Sequence, residues 1–125
     1  MRAKVLFVDD RLGEIVRLWQ LSGCESDYEL LPLEPFDSIE RTSQRVDTLK
    51  PEVVLVGFGL GKPDVTGADV IRALRQGGFS GIIIANSGGG IEQFNQAGTS
   101  VDGSVDRNPQ KLKSILNSKE YRKVG

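Results

Sequence analysis

The chain contains no histidine among its 125 residues and only one cysteine, Cys24. Without histidine there is no histidine-based acid–base catalysis, no Ser-His or Cys-His nucleophile pair, no histidine-ligated metal and no phosphohistidine. A single cysteine forms no intramolecular disulfide, which is compatible with a reducing cytoplasm. These absences disfavour most hydrolytic and redox enzymes, and we expect a protein that is not an enzyme.

Long apolar runs and a strong charge of either sign are also missing. No run approaches the ~20 apolar residues that a membrane span needs, and the first one, residues 5–8, is too short for the core of a signal peptide. The formal net charge is −1, so no bulk basic field attracts nucleic acid or an anionic membrane. The composition therefore predicts a cytoplasmic protein that binds neither nucleic acid nor membrane.

Short apolar runs alternate with helical patterns along the chain, which is typical of βα units and a parallel sheet. The apolar runs predict five strands, over residues 4–8, 28–33, 53–56, 82–85 and 103–105. The periodic segments between and after them predict five helices. Trp19 and Phe94 lie at apolar positions of two of these helices, so we expect both in or near the core.

Pro32 interrupts the second predicted strand. Proline has no N–H to donate to a ladder, so this strand is expected at the margin of the sheet. A doubly wound, flavodoxin-like α/β fold with strand order 2-1-3-4-5 meets this condition and leaves helices on both faces. We expect residues 1–125 to form one such domain.

In such a sheet, ligands bind in the crevice at the carboxyl ends of strands one and three. Asp9 and Asp10 follow the first strand, and Gly57 and Phe58 follow the third. Carboxylates suit a hard cation, so Asp9 and Asp10 are candidate Mg²⁺ ligands. Phe58 is expected either to fill this crevice or to be exposed for a partner.

The chain as a whole resembles the receiver domain of bacterial response regulators. Residues 4–10 are similar to the opening strand and acidic pair of that family, and residues 51–56 to the strand that precedes its phosphoacceptor aspartate. Ala97 and Gly98 resemble the turn before the fifth strand. The loop over residues 60–67 is slightly longer than the family's usual pattern. The resemblance implies the flavodoxin-like fold and a role in two-component signalling.

Three departures from that family fall at its chemical positions. Gly57 stands where the resemblance implies the phosphoacceptor, and glycine has no side chain to phosphorylate. Asn86, followed by Ser87, stands where the family has the hydroxyl that contacts the phosphoryl group. Arg107 is the nearest match to the family's lysine. The chain is thus expected to be a degenerate pseudo-receiver with a pocket of Asp9, Asp10, Gly57, Phe58, Asn86, Ser87 and Arg107.

Three functions remain open. The first is a phosphorylation-independent module that binds a signalling protein; the resemblance implies the fourth helix, fifth strand and fifth helix as its face. The second is a small-molecule or anion sensor that uses Asn86, Ser87 and Arg107. The third is a receiver phosphorylated at an unconventional acid such as Asp64. No cofactor is expected: the acidic turn disfavours flavin, and Mg²⁺ is the one candidate.

Overall fold

The structure of the chain is a computed structural model. It describes residues 3–9, 17, 20–21, 28–32, 38–60, 64–86, 90–99 and 101–105. Five strands lie in this part of the chain: β1 (Ala3–Val8), β2 (Tyr28–Pro32), β3 (Val53–Val56), β4 (Ile82–Ala85) and β5 (Gly103–Ser104). Three helices alternate with them: α1 (Ile39–Leu49), α2 (Gly67–Gln76) and α3 (Gly90–Gln96).

The strands form one parallel sheet in the order β2-β1-β3-β4-β5. This confirms the predicted α/β fold class and the predicted strand order. Pro32 lies in β2 at the margin of the sheet, opposite Phe7 of β1. The missing N–H of Pro32 therefore interrupts no central ladder.

The central strands are buried on both faces, as their continuous apolar runs predict. All four residues of β3 and all four of β4 are buried. Alternate residues of β1, β3 and β4 pack with α1, α2 and α3 in one core cluster, whose strand members are Leu6, Val8, Val54, Val56, Ile83 and Ala85. Phe94 of α3 belongs to the same cluster and is completely buried, which confirms its expected place in the core.

The helix ends explain where α1 and α2 begin and stop. Ser38 caps α1, because its hydroxyl accepts a hydrogen bond from the backbone N–H of Arg41 at 3.1 Å. At the start of α2, the carboxylate of Asp69 accepts the N–H of Thr66 at 2.9 Å. A threonine followed three residues later by an acidic residue predicts a capping box at a helix start, and the structure has it. Gly78 follows α2 with a φ of +97°, a conformation that favours glycine.

Two predicted helices fall largely outside the described residues. Residues 17, 20 and 21 are helical and lie between β1 and β2, where the first helix is predicted. Trp19 and the predicted last helix are not among the residues described. Within the described part of the chain, no helix is long and apolar enough to cross a membrane.

Candidate functional site

The carboxyl ends of the three inner strands, β1, β3 and β4, line up at one edge of the sheet. The ladder continues one residue past the strands: Gly57 donates its N–H to Val8 at 2.9 Å, and Asn86 donates its N–H to the carbonyl of Val56 at 2.9 Å. Asp9 follows Val8 directly. Since residues in register on parallel strands point to the same face, Asp9, Gly57 and Asn86 form one row at this edge, as the crevice prediction expects.

The side chain of Asp9 occupies the space beside Gly57. Asp9 is only 3% exposed. A Cβ atom at position 57 would lie 2.8 Å from Cγ of Asp9 and closer still to its Oδ2. Real Cβ atoms do not approach neighbours so closely, so a side chain at position 57 would displace the carboxylate. The place expected for a phosphoacceptor side chain is thus taken by the carboxylate of Asp9.

The start of α2 packs closely against the backbone of Gly57 and Phe58. Gly67 donates its N–H to the carbonyl of Phe58 at 2.7 Å. A Cβ on Gly67 would lie 2.8 Å from Cγ1 of Val56 and 3.0 Å from the carbonyl carbon of Gly57. Only glycine permits this approach, so α2 and the end of β3 hold the backbone of Gly57 in one position.

Asn86 carries a buried polar atom that lacks a hydrogen bond. The residue is 2% exposed, and its side-chain Oδ1 accepts no hydrogen bond. A buried acceptor without a donor destabilises a fold by about 1–3 kcal/mol, and the great majority of buried polar atoms in proteins are paired. This unpaired acceptor sets the row apart from a simply structural sheet edge.

Phe58 does not fill the place beside Gly57. It is half-buried, packs on the core cluster, and contacts Phe94 edge to face at a centroid distance of 5.3 Å and an angle of 80°. That cluster lies on the face opposite the row, because successive residues of a strand alternate faces. The expectation that Phe58 fills the crevice is therefore wrong, and the alternation of faces is the signal that could have excluded it.

The loop after β3 is closed at its base. Gly59 and Thr66 form an isolated antiparallel bridge, and Leu60 is 2% exposed. Asp64 is exposed in this loop. The structure does not place Asp64 in the row of Asp9, Gly57 and Asn86, and phosphorylation at Asp64 stays a prediction.

Three other predicted pocket residues, Asp10, Ser87 and Arg107, lie outside the described residues. The described residues contain no group of three or more His, Cys, Asp or Glu side chains that could hold a metal ion. Whether Asp9 and Asp10 bind Mg²⁺ together, and whether Ser87 and Arg107 bind an anion, stay predictions.

A second polar cluster, which we call the Arg75–Asp102 network, lies at the opposite, amino edge of the sheet. Nη1 of Arg75 donates to the carbonyls of Phe79 and Gly81 at 3.0 and 2.9 Å. Nη2 of Arg75 lies 3.2 Å from Oδ2 of Asp102, which also accepts the N–H of Ile83 at 2.8 Å. The network ties the end of α2 to the starts of β4 and β5.

Sequence reasoning missed both members of this network. Arg75 lies in the last turn of α2, where a cation is favoured, so a helix-end role could have been inferred. Asp102 lies 27 residues further along the chain, and no local pattern pairs the two.

Comparison with known proteins supports the fold. No protein-family profile matches the sequence, and no curated protein matches it. Among solved structures, the signal receiver domain of a Luxo repressor protein from Vibrio parahaemolyticus aligns with a TM-score of 0.71 and 20% identity, over 99% of this chain and 93% of that chain. A response regulator from Chloroflexus aurantiacus aligns with a TM-score of 0.68 and 20% identity, over 94% of this chain and 100% of that chain.

The BeF3-activated N-terminal receiver domain of RstA from Klebsiella pneumoniae aligns with a TM-score of 0.66 and 23% identity, over 90% of this chain and 94% of that chain. The chain therefore has the fold of response regulator receiver domains, as the resemblance in its sequence implies. At these identities, the comparison establishes the architecture alone.

Proposed function

We propose that this domain is a pseudo-receiver, a cytoplasmic signalling module that binds a partner protein without being phosphorylated. One observation carries the proposal: at the end of β3, where a receiver needs an acceptor side chain, the chain has Gly57 and the carboxylate of Asp9 fills the space beside it. Phosphotransfer to a receiver needs a nucleophilic carboxylate at that position. The domain then acts by binding rather than by catalysis, and its formal net charge of −1 favours a protein partner over nucleic acid or membrane.

The face that we propose for the partner includes α3 and β5. Asp102 holds the start of β5 through the N–H of Ile83 and the guanidinium of Arg75. The ring of Phe94 anchors α3 to Phe58. These contacts hold α3 and the start of β5 in place, which supports recognition of the unmodified domain by a partner. Ile91 of α3 is 38% exposed on it, a position from which an apolar contact to a partner can form.

Intact mass after incubation with acetyl phosphate and Mg²⁺ tests the loss of phosphorylation. We expect no phosphoryl group to be added, while a receiver domain that retains its acceptor gains one under the same conditions. A phosphoryl group on this chain would refute the pseudo-receiver proposal. If Asp64→Asn then abolished the addition, the unconventional acceptor Asp64 would be established instead.

Capture of partners from the native cell tests the binding face. Ile91→Glu on α3 is expected to abolish capture of any specific partner. The matched control is Gln44→Glu on the exposed side of α1, which adds the same charge far from the proposed face. Equal capture by both variants would show that this face is not the binding surface.

A further inference from the structure

A groove of about 350 Å³ opens at the amino edge of the sheet, between the end of α1 and the turn that joins α2 to β4. We call it the amino-edge groove. Residues 77–81 form one wall, and Val46, Asp47, Lys50 and Pro51 form the other. A volume of this size lies within the range of small-molecule sites in proteins.

Both walls of the groove are held by hydrogen bonds within the chain. On the side of β4, Nη1 of Arg75 donates to the carbonyls of Phe79 and Gly81 at 3.0 and 2.9 Å. On the side of α1, Lys50 donates its N–H to the carbonyl of Val46 at 2.9 Å. The groove is therefore formed before any ligand binds, as most small-molecule sites are.

The most deeply buried residues that line the groove are apolar. Val46 is 5% exposed and belongs to the core cluster, and Pro51 is buried. Phe79 is half-buried and packs on the same cluster. An apolar group that rests on the exposed part of the Phe79 ring is removed from water, so the groove favours a ligand with an apolar body.

Two oppositely charged side chains line the same groove without pairing. Asp47 and Lys50 are both exposed. Within the described part of the chain, neither side chain forms a hydrogen bond or an ion pair. Residues three apart on a helix often pair, but Lys50 has a left-handed φ of +50°, which turns it off the helical path. Both charges can therefore interact with a ligand.

The left-handed conformation of Lys50 is a further observation that points to a role for its side chain. The residue that takes this conformation at a helix end is usually glycine, because a Cβ atom is sterically disfavoured there. A lysine at this position is less favourable for the fold than glycine would be. What lysine adds is an ammonium group beside the groove.

We propose that the amino-edge groove binds a small zwitterion with an apolar body, the chemistry of an apolar α-amino acid or a short apolar peptide. The ammonium of the ligand lies near the carboxylate of Asp47, and its apolar body rests on Phe79. Its carboxylate lies near the ammonium of Lys50 and the hydroxyl of Ser80, which forms no hydrogen bond within the described residues. A simple anion or cation would meet one like charge here, whereas a zwitterion matches both. The groove lies at the edge opposite the crevice, so this inference holds whether or not the domain is a pseudo-receiver.

The test is an NMR titration of the ¹⁵N-labelled full chain at constant ionic strength. The probes are L-leucine and L-phenylalanine, with N-acetyl-L-leucine lacking the ammonium, L-leucinamide lacking the carboxylate and free glycine lacking the apolar body. We expect leucine and phenylalanine to give saturable shifts of the backbone amides of Lys50, Ser80 and Gly81. The three truncated probes should bind at least about two- to fivefold more weakly, the effect of losing one exposed ion pair. Binding of any truncated probe as tight as that of leucine, or no saturable shift at these amides, would overturn the proposal.

The substitution Lys50→Gly separates ligand binding from stability. It removes the ammonium and relieves the left-handed conformation, so the free energy of unfolding should stay the same or rise. Leucine should nevertheless bind about two- to fivefold more weakly. Arg45→Gln, which removes a positive charge from another exposed position of α1, is the matched control and should leave leucine binding unchanged. Undiminished binding by Lys50→Gly would overturn the role of Lys50.

Two further variants test the orientation and the location of the ligand. Asp47→Asn should weaken binding of leucine and leucinamide but not of N-acetyl-leucine, and the reverse pattern would overturn the proposed orientation. Ser80→Phe, at an exposed position, places a ring at the groove and should abolish binding; persistent binding would place the ligand elsewhere and overturn the site. A leucyl-leucine dipeptide that binds more tightly than leucine would assign the groove to short peptides, and the reverse order to free amino acids.

Discussion

The polar side chains at the two ends of the sheet differ in their hydrogen bonding. At the amino edge, both Nη atoms of Arg75 and Oδ2 of Asp102 are hydrogen-bonded, and the contacts join α2, β4 and β5. At the carboxyl edge, Asn86 is more deeply buried than either of those residues, yet its Oδ1 has no donor. The great majority of buried polar groups in folded proteins are paired. The hydrogen bonds at the amino edge therefore stabilise the fold, whereas Oδ1 of Asn86 contributes no hydrogen bond to it.

The largest loss of stability is expected from a substitution at the amino edge of the sheet. Asp102→Ala leaves the buried N–H of Ile83 without an acceptor and should lower the free energy of unfolding by about 2 kcal/mol. That loss corresponds to a fall in Tm of several degrees for a domain of this size. Urea denaturation and thermal melting measure both quantities.

Asp102→Asn is the control for charge, because it retains an acceptor for Ile83 and loses only the ion pair with Arg75. That pair is more than one-third exposed on both sides, so its own contribution is small. We expect Asp102→Asn to lose less than half as much stability as Asp102→Ala. Equal losses would show that the ion pair, and not the hydrogen bond to Ile83, stabilises this edge.

A smaller loss of stability is expected from adding a methyl group beside the carboxylate of Asp9. Gly57→Ala should lower the free energy of unfolding by about 1–2 kcal/mol, because the new Cβ overlaps Cγ and Oδ2 of Asp9. In an Asp9→Ala background the same substitution should be neutral or stabilising. A double-mutant cycle measures this coupling, and additive effects would contradict the placement of Asp9 over Gly57.

The smallest expected change in the free energy of unfolding is an increase rather than a loss. Asn86→Leu removes an acceptor that has no donor, so the free energy of unfolding should stay the same or rise by up to about 1 kcal/mol. Thr99→Val is the matched control: Thr99 is also buried, but its hydroxyl donates to the carbonyl of Phe94 at 3.0 Å. Thr99→Val should lower the free energy of unfolding by about 1 kcal/mol. A clear loss for Asn86→Leu would mean that Asn86 has a structural partner and would remove the contrast between the two edges.

Much of the fold was predictable because it depends on local and repeated features. The apolar runs of β1, β3 and β4 predict buried parallel strands, Pro32 predicts the edge position of β2, and Thr66 with Asp69 predicts the start of α2. Each of these signals acts over a few residues or through the simple exclusion of a missing N–H. The edge position of β2 fits the order 2-1-3-4-5 of flavodoxin-like folds, and right-handed crossovers place helices on both faces of the sheet.

The candidate site was only partly predictable, because its key features are matters of three-dimensional placement. The row of Asp9, Gly57 and Asn86 follows from strand ends and was expected. That the carboxylate of Asp9 leans over Gly57 depends on a rotamer, and that Oδ1 of Asn86 lacks a donor depends on every neighbouring group. The pairing of Arg75 with Asp102 depends on chain segments far apart in sequence.

The closed base of the loop after β3 has a consequence for protein engineering. The Gly59–Thr66 bridge and the hydrogen bond from Gly67 to Phe58 fasten both ends of this loop beside the crevice. Extra residues inserted between the fastened ends would add only the slowly growing entropy of a longer closed loop. The segment between Leu60 and Val65 is thus a suitable site for grafting a foreign peptide, displayed next to the crevice on a base that already has a defined geometry.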